Sequence, residues 1–257
     1  MANAGGRMDQ SVKTRAKKIV RAKSHAFSLK TPRVNAKPST KGDKAEAAIR
    51  GFLASGEFSP GEKISLRKLA SALGVSVMPV RNAVARLQAD GALEVEPGRA
   101  VRVPVMTSAQ FRELLQVRME IEGYAAEMAA INRSEAELRC MEELNASFQI
   151  LGVGEATRSS GAARVNMEFH FAVYRAARMP MLIDIIERLW LKAGPVVFYH
   201  IYLERFSSPS RDSVRLHKDA LAALRRKDGA AARMAIAEDL WLAGERLLAE
   251  GIFKERP

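Results

Sequence analysis

The stretch that decides the fold is Ser65-Leu66-Arg67-Lys68-Leu69-Ala70-Ser71-Ala72-Leu73-Gly74-Val75-Ser76-Val77-Met78-Pro79-Val80-Arg81-Asn82-Ala83-Val84. It reads as two short helices joined by a tight turn. The first, about Leu66 to Leu73, stops at Gly74, where a residue without a Cβ suits a left-handed cap. Ser76 can then cap a second helix running to about Ala89, with Pro79 tolerated in its first turn. On that helix Val80, Ala83, Val84 and Leu87 share one face, and Met78, Arg81, Asn82 and Arg86 the other.

Upstream, order begins near Lys44. Ala45, Ile49, Phe52 and Leu53 give a helical stripe that stops at Gly56, and Ser59-Pro60-Gly61 follows as a turn. Downstream lie two β-like runs, Ala92 to Val95 and Ala100 to Val103, joined through Pro97-Gly98-Arg99. Helix, helix, helix, hairpin is the order of a winged helix-turn-helix. From Ser108 the pattern is helical nearly throughout, with segments near 108–131, 134–149, 161–178, 180–193, 195–206, 210–227 and 230–250. Breaks fall at Gly152-Val153-Gly154, Met179-Pro180 and Asp228-Gly229. The expectation is a mainly α protein: a basic tail over 1–43, a winged helix-turn-helix over 44–105 and an all-helical bundle over 106–257.

Charge follows the same division. Residues 1–43 hold eleven Lys and Arg against two acidic residues, residues 44–105 nine against six, and residues 106–257 twenty-one against twenty-one. The front of the chain suits a polyanion and the neutral body something else. The tail, rich in Lys, Ser, Thr and Pro, is predicted to be disordered, either a solvated leader or a nonspecific DNA arm. No run approaches eighteen consecutive apolar residues, no secretory signal is evident, and the single Cys140 makes neither a disulfide nor a zinc–thiolate cluster. A cytoplasmic protein that does not engage a membrane is expected.

Gly56 to Val103 resembles the GntR superfamily of bacterial transcription regulators, through Pro60-Gly61, Ser65 to Ala70, Gly74 to Val84, Leu87 and Gly91, with Gly98 at the wing tip. The helical remainder looks like the FCD ligand-binding domain of the FadR-type branch. The resemblance implies that Arg67, Ser76, Val77, Met78, Arg81 and the wing around Gly98 and Arg99 touch double-stranded operator DNA. The physics agrees: Arg67 opens its helix where a guanidinium can clamp a phosphate, and Arg81 lies on the exposed face of the helix that enters the major groove. The family usually carries a polar pair, often Arg then Thr, where this chain has Val77 and Met78. Apolar side chains there suit thymine methyls where relatives read guanine, unless both pack beneath the helix start.

Several polar residues of the bundle sit where apolar ones belong. Asn166 and His170, one turn apart, share the face of Phe169 and Val173; His217 sits among Val214, Ala220, Leu221 and Leu224; Asp239 borders Ala232, Ile236 and Ala243. The turn at Asp228-Gly229 makes a hairpin in which His217 and Asp239 are each eleven residues from Asp228. Both therefore stand about 16 Å from the turn, at one height. Many FCD domains bind a divalent metal through one Asp and three His, and by position the set here is Asn166, His170, His217 and Asp239. Asn replaces the usual Asp and Asp the usual third His, so one carboxylate is kept but moved. Such a set suits zinc, nickel or manganese. The alternative is a metal-free core in which Asn166 bonds His170 and His217 pairs with Asp239.

Arg118 and Glu122 lie on the stripe of Leu114, Ile121, Ala125 and Ala129. They are either an ion pair at its edge or an effector site in which Arg118 forks a carboxylate. Met179, Met181, Trp190 and Trp241 suit core or dimer contacts. The expectation is a homodimeric regulator, not an enzyme, responding to a small anionic metabolite. A metal-dependent hydrolase lacks an evident general base beside the ligand set. A nonspecific DNA-binding protein driven by the tail would lose all binding on deletion of residues 1–43.

Overall fold

The computed structural model describes residues 40–96, 100–151, 159–199 and 210–253. The basic tail as far as residue 39, the wing tip Pro97-Gly98-Arg99, the break at Gly152-Val153-Gly154 and the stretch 200–209 lie outside the described residues.

The head begins earlier than the stripe from Ala45 suggests. Helix α1 spans Lys41–Ala54 because Thr40 and Asp43 form a capping box: the Asp43 amide donates to Thr40 Oγ1 at 3.1 Å and the Thr40 amide to Asp43 Oδ2 at 3.2 Å. Helices α2 (Leu66–Leu73) and α3 (Val77–Ala89) follow, and Gly74 closes α2 at φ 64°, a left-handed cap. Ser76 occupies the N-cap position of α3 without a side-chain cap bond. The strands are shorter than the β-like runs suggest, β2 at Glu94–Val95 and β3 at Val101–Arg102, and they gain a partner absent from the sequence reading. This is β1, Lys63–Ile64, which pairs antiparallel with β3 and gives the order β1-β3-β2. Ile49, Leu53, Leu69, Val80, Ala83, Leu87, Leu93 and Val103 form the core of this unit.

The second unit is a bundle of α4 (Ser108–Asn132), α5 (Glu135–Leu151), α6 (Ser159–Ala176), α7 (Pro180–Phe198), α8 (Arg211–Arg226) and α9 (Gly229–Ala249). Asp228 caps α9 by accepting from the Ala231 amide at 3.0 Å, which turns α8 and α9 into the expected hairpin. Arg133, at the end of α4, fastens that hairpin by donating to the carbonyls of Leu224 and Arg225 at 3.1 and 3.0 Å. Helix α9 runs antiparallel to α4, with Leu115 against Gly244 at one end and Glu127 against Gly229 at the other.

One expectation is corrected. The sequence divides this stretch into segments 180–193 and 195–206, yet α7 continues through Gly194 and Pro195. An interior proline costs about 3 kcal/mol, and burial outweighs it here, since Ala193, Gly194, Pro195 and Val196 are all buried. Gly194 is where the head docks: a Cβ at that position would lie 2.4 Å from the Leu53 carbonyl oxygen and 2.8 Å from Ala54 Cα. Leu191, a turn earlier, is part of the head's own core.

Candidate metal centre and nucleic-acid interface

The head presents its chemistry outward. Arg67 on α2 and Ser76, Met78, Arg81 and Asn82 along α3 are exposed, with Met78 at 58 %. Val77 differs: it is half-buried and packs against the core, so only Met78 of the apolar pair stands fully on the open face. Gly98 and Arg99 lie outside the described residues. Beneath α3 sits a buried carboxylate, Glu46, which accepts from Arg50 Nε at 3.0 Å and from Arg86 Nε. Arg50 reaches on to Asp90 at 2.5 Å, so α1 and the far end of α3 are tied by a closed network.

The bundle keeps its chemistry inside. His170 on α6, His217 on α8 and Asp239 on α9 are buried, and their candidate ligand atoms all lie within 4.8 Å of one another. His170 Nε2 stands 3.2 Å from Asp239 Oδ2. His217 Nε2 stands 3.6 Å from the same oxygen, beyond hydrogen-bond reach. Among the described residues, both ring nitrogens of His217 and the Oδ1 of Asp239 find no hydrogen-bond partner, although His217 is 0 % exposed. Burial pushes the His217 imidazole down against the pull of Asp239. For Asp239 burial acts upward, but His170 and His217 outweigh it and hold the carboxyl below its ordinary range. Phe169 and Phe148 flank the His217 ring at centroid distances of 4.1 and 4.9 Å and keep water from it.

Asn166, a turn before His170, lines the cavity beside this cluster with His170, Asp239, Arg118 and Trp190. Of the metal-free alternative, the geometry shows one half: His217 pairs with Asp239 at 3.6 Å, an ion-pair rather than a hydrogen-bond distance, whereas His170 directs Nδ1 to Tyr174 and Nε2 to Asp239 rather than bonding Asn166. The cavity holds about 40 Å³, room for a small acid or a few waters, since one water needs about 10–15 Å³.

Arg118 and Glu122 are buried in the middle of the bundle rather than at an edge. Arg118 donates to Glu122 through Nε at 2.6 Å and Nη2 at 3.2 Å, and its guanidinium lies over the Trp190 ring, 5.1 Å from the centroid. Burial lowers the Arg118 pKa, but Glu122 more than offsets it, so the group remains a cation. Only Arg118 of the pair lines the cavity; Glu122 lies behind it, 0 % exposed, and also accepts from Tyr174 at 2.6 Å and Trp190 at 2.9 Å. Trp190, expected as a core or dimer contact, is buried and joins Tyr174, which the sequence reading does not single out, in the hydrogen bonds around Glu122. The signal for Tyr174 was present, because Asn166, His170 and Tyr174 continue one i, i+4 series along α6.

A three-helix head with a sheet wing, docked on an all-helical bundle that buries an unsatisfied imidazole–carboxylate cluster, defines a class: a nucleic-acid-reading head with a chemically distinct body. Residues 41–103 match the bacterial regulatory proteins of the gntR family, and residues 113–240 match the FCD domain. The chain is 32 % identical over 195 residues to the HTH-type transcriptional regulator McbR of Escherichia coli (strain K12), covering 76 % of this chain and 87 % of that protein. It is 28 % identical over 221 residues to the Uxu operon transcriptional regulator of the same organism, covering 79 % and 84 %. The solved structure of E. coli McbR/YncC matches with a TM-score of 0.75 at 29 % identity, over 82 % of this chain and 98 % of that one. A transcriptional regulator GntR from Rhodococcus sp. RHA1, at 20 % identity and a TM-score of 0.65 over 83 % and 99 %, supports the fold. The chain belongs to the GntR family of bacterial transcriptional regulators and carries an FCD domain; its relatives are regulators, not enzymes. Among the described residues no helix is long and apolar enough to cross a membrane.

Proposed function

We propose that this protein is a ligand-responsive regulator of the FadR type, in which a divalent metal, held by Asn166, His170, His217 and Asp239, anchors a small organic acid in the bundle. The observation that carries the reading is the buried cluster of His170, His217 and Asp239, in which both His217 nitrogens and Asp239 Oδ1 lack a hydrogen bond among the described residues. Leaving a buried polar group without a hydrogen bond costs about 1–3 kcal/mol, and coordination would remove that cost at one His217 nitrogen and at the carboxylate. The donors fit a borderline cation: two imidazoles, a carboxylate and an amide oxygen suit zinc, nickel or manganese. When bound, such a cation supplies a Lewis-acidic anchor for a carboxylate. Arg118 adds the second positive group on the cavity wall, and the cavity volume of about 40 Å³ favours an acid of few atoms.

Helix α7 connects this cavity to the head. Trp190 faces the site and its neighbour Leu191 packs in the head core, so an acid that shifts α7 shifts the DNA-reading unit with it. The regulator works as a homodimer on a two-fold operator. Val117, Tyr124 and Ile131 on α4, at heptad spacing, and Met234 and Trp241 on the adjacent α9 are exposed apolar residues, and a second copy would cover them. The bundle region carries equal numbers of acidic and basic residues, so no net repulsion opposes that pairing.

Elemental analysis of untagged protein purified without chelator, beside His217→Ala, tests the reading. The expected result is about one metal per chain, lost in the variant. Absence of metal after loading with zinc, nickel and manganese would overturn it.

A further inference from the structure

The hydrogen bonds behind the cluster form a directed chain. Tyr174 donates its hydroxyl proton to Glu122 Oε2 at 2.6 Å, the carboxylate that Arg118 holds through two further bonds. A phenol has a single proton, so toward His170 its oxygen can only accept. The 3.0 Å contact between His170 Nδ1 and the Tyr174 oxygen therefore places a hydrogen on Nδ1. In neutral imidazole that leaves a lone pair on Nε2, the atom 3.2 Å from Asp239 Oδ2. A cation on their common side would be held by both atoms; without one, a proton between Nε2 and Oδ2 makes the ordinary imidazole–carboxylate hydrogen bond.

We propose that Tyr174 and Glu122 are positioning residues that fix His170 in its Nδ1–H form, so that Nε2 is presented as a ligand. The proposal rests on the metal reading above and extends it to residues outside the ligand set. Neither residue touches the site itself: Glu122 is fully buried behind Arg118, and Tyr174 reaches the cluster only through His170. The same carboxylate holds Trp190 of α7, so one acceptor aligns α4, α6 and α7 around the site. Partners of this kind orient a ligating histidine and raise its basicity, and their loss weakens metal binding by about 10–100-fold.

The test uses the full chain and zinc alone as probe. Tyr174→Phe removes only the hydroxyl; Val173→Ala, a truncation at a fully buried α6 position outside the chain of bonds, controls for lost packing. Competition against a chromophoric chelator is expected to show zinc affinity about 10–100-fold weaker in Tyr174→Phe and near wild type in Val173→Ala. Long-range nitrogen–proton NMR of the metal-free protein is expected to show a hydrogen on His170 Nδ1 that is lost in Tyr174→Phe, where Asp239 remains as the acceptor for Nε2–H. Equal zinc affinity of wild type and Tyr174→Phe, or an Nε2–H tautomer in the wild type, overturns the proposal. If the wild type binds no zinc, the metal reading fails; the tautomer still decides whether Tyr174 and Glu122 orient His170.

Discussion

Two buried carboxylates, Glu46 of the head and Asp239 of the bundle, are met by their neighbours in opposite ways. Glu46 in the head is 2 % exposed and is met by two arginines, one of which continues to Asp90. Asp239 in the bundle is also buried, but among the described residues one of its oxygens and both nitrogens of the neighbouring His217 lack a hydrogen bond. A closed network holds shape and leaves the chemistry to the exposed face of α3. An open one is a poor way to hold a bundle together and a good way to hold a ligand.

The strongest way to break this comparison is His217→Phe. A phenyl ring between Phe148 and Phe169 replaces an unpaired imidazole, so metal uptake should vanish while the metal-free protein gains about 1 kcal/mol, read by denaturant unfolding. A loss of stability would mean that the imidazole is structural after all. The matching change in the head, Glu46→Gln, should do the reverse: a loss of about 2–3 kcal/mol, with weakened operator binding and metal content unchanged. Indifference of the head to that change would remove the contrast.

Smaller effects sharpen it. Site selection from random DNA should return thymine where relatives read guanine, and restoring a polar side chain with Met78→Thr should relax that preference by roughly 1–3 kcal/mol. Guanine at those positions in wild-type selections would sink the expectation. The smallest effect belongs to a closed carboxylate of the bundle, Glu137, which accepts from the Ser134 amide and hydroxyl at 2.8 Å and from Arg178 at 2.9 Å. Burial acts upward on it, but Ser134 and Arg178 prevail and set its pKa below the ordinary 4.5. Its share of stability is present above 4.5 and drains away as pH falls through the lower folded value. Glu137→Gln should flatten that acid limb slightly in pH-dependent melting.

Much of this molecule was legible as pattern. The two-helix motif around Gly74, the outward face of α3 and the α8–α9 hairpin all follow from periodicity and caps, because those are local and a single chain displays them. The pairing of His217 with Asp239 was also within reach, since equal counting from Asp228 fixes their height. The third strand was not, because a two-residue run such as Lys63-Ile64 has no period of its own and becomes a strand only when β3 offers it bonds. The continuity of α7 was hidden for the opposite reason: Gly194-Pro195 carries the local signature of a break, and only the close docking of α1 reveals why a glycine stands there.

The sequence by itself determined the kinds of element, their order, the division between basic front and neutral body, and the residue types able to reach a metal or a base pair. These depend on spacing along one chain and on the charge of individual side chains. Tertiary structure alone decided which polar groups are satisfied. Arg118 and Glu122 are a pair in either case, but whether Glu122 fronts the cavity or stands behind it, and whether Tyr174 orients His170, depends on how α4, α6 and α7 cross. Satisfaction is a property of three-dimensional neighbours, and among the described residues it separates Glu46 and Glu122, whose oxygens are all met, from Asp239, whose Oδ1 is not.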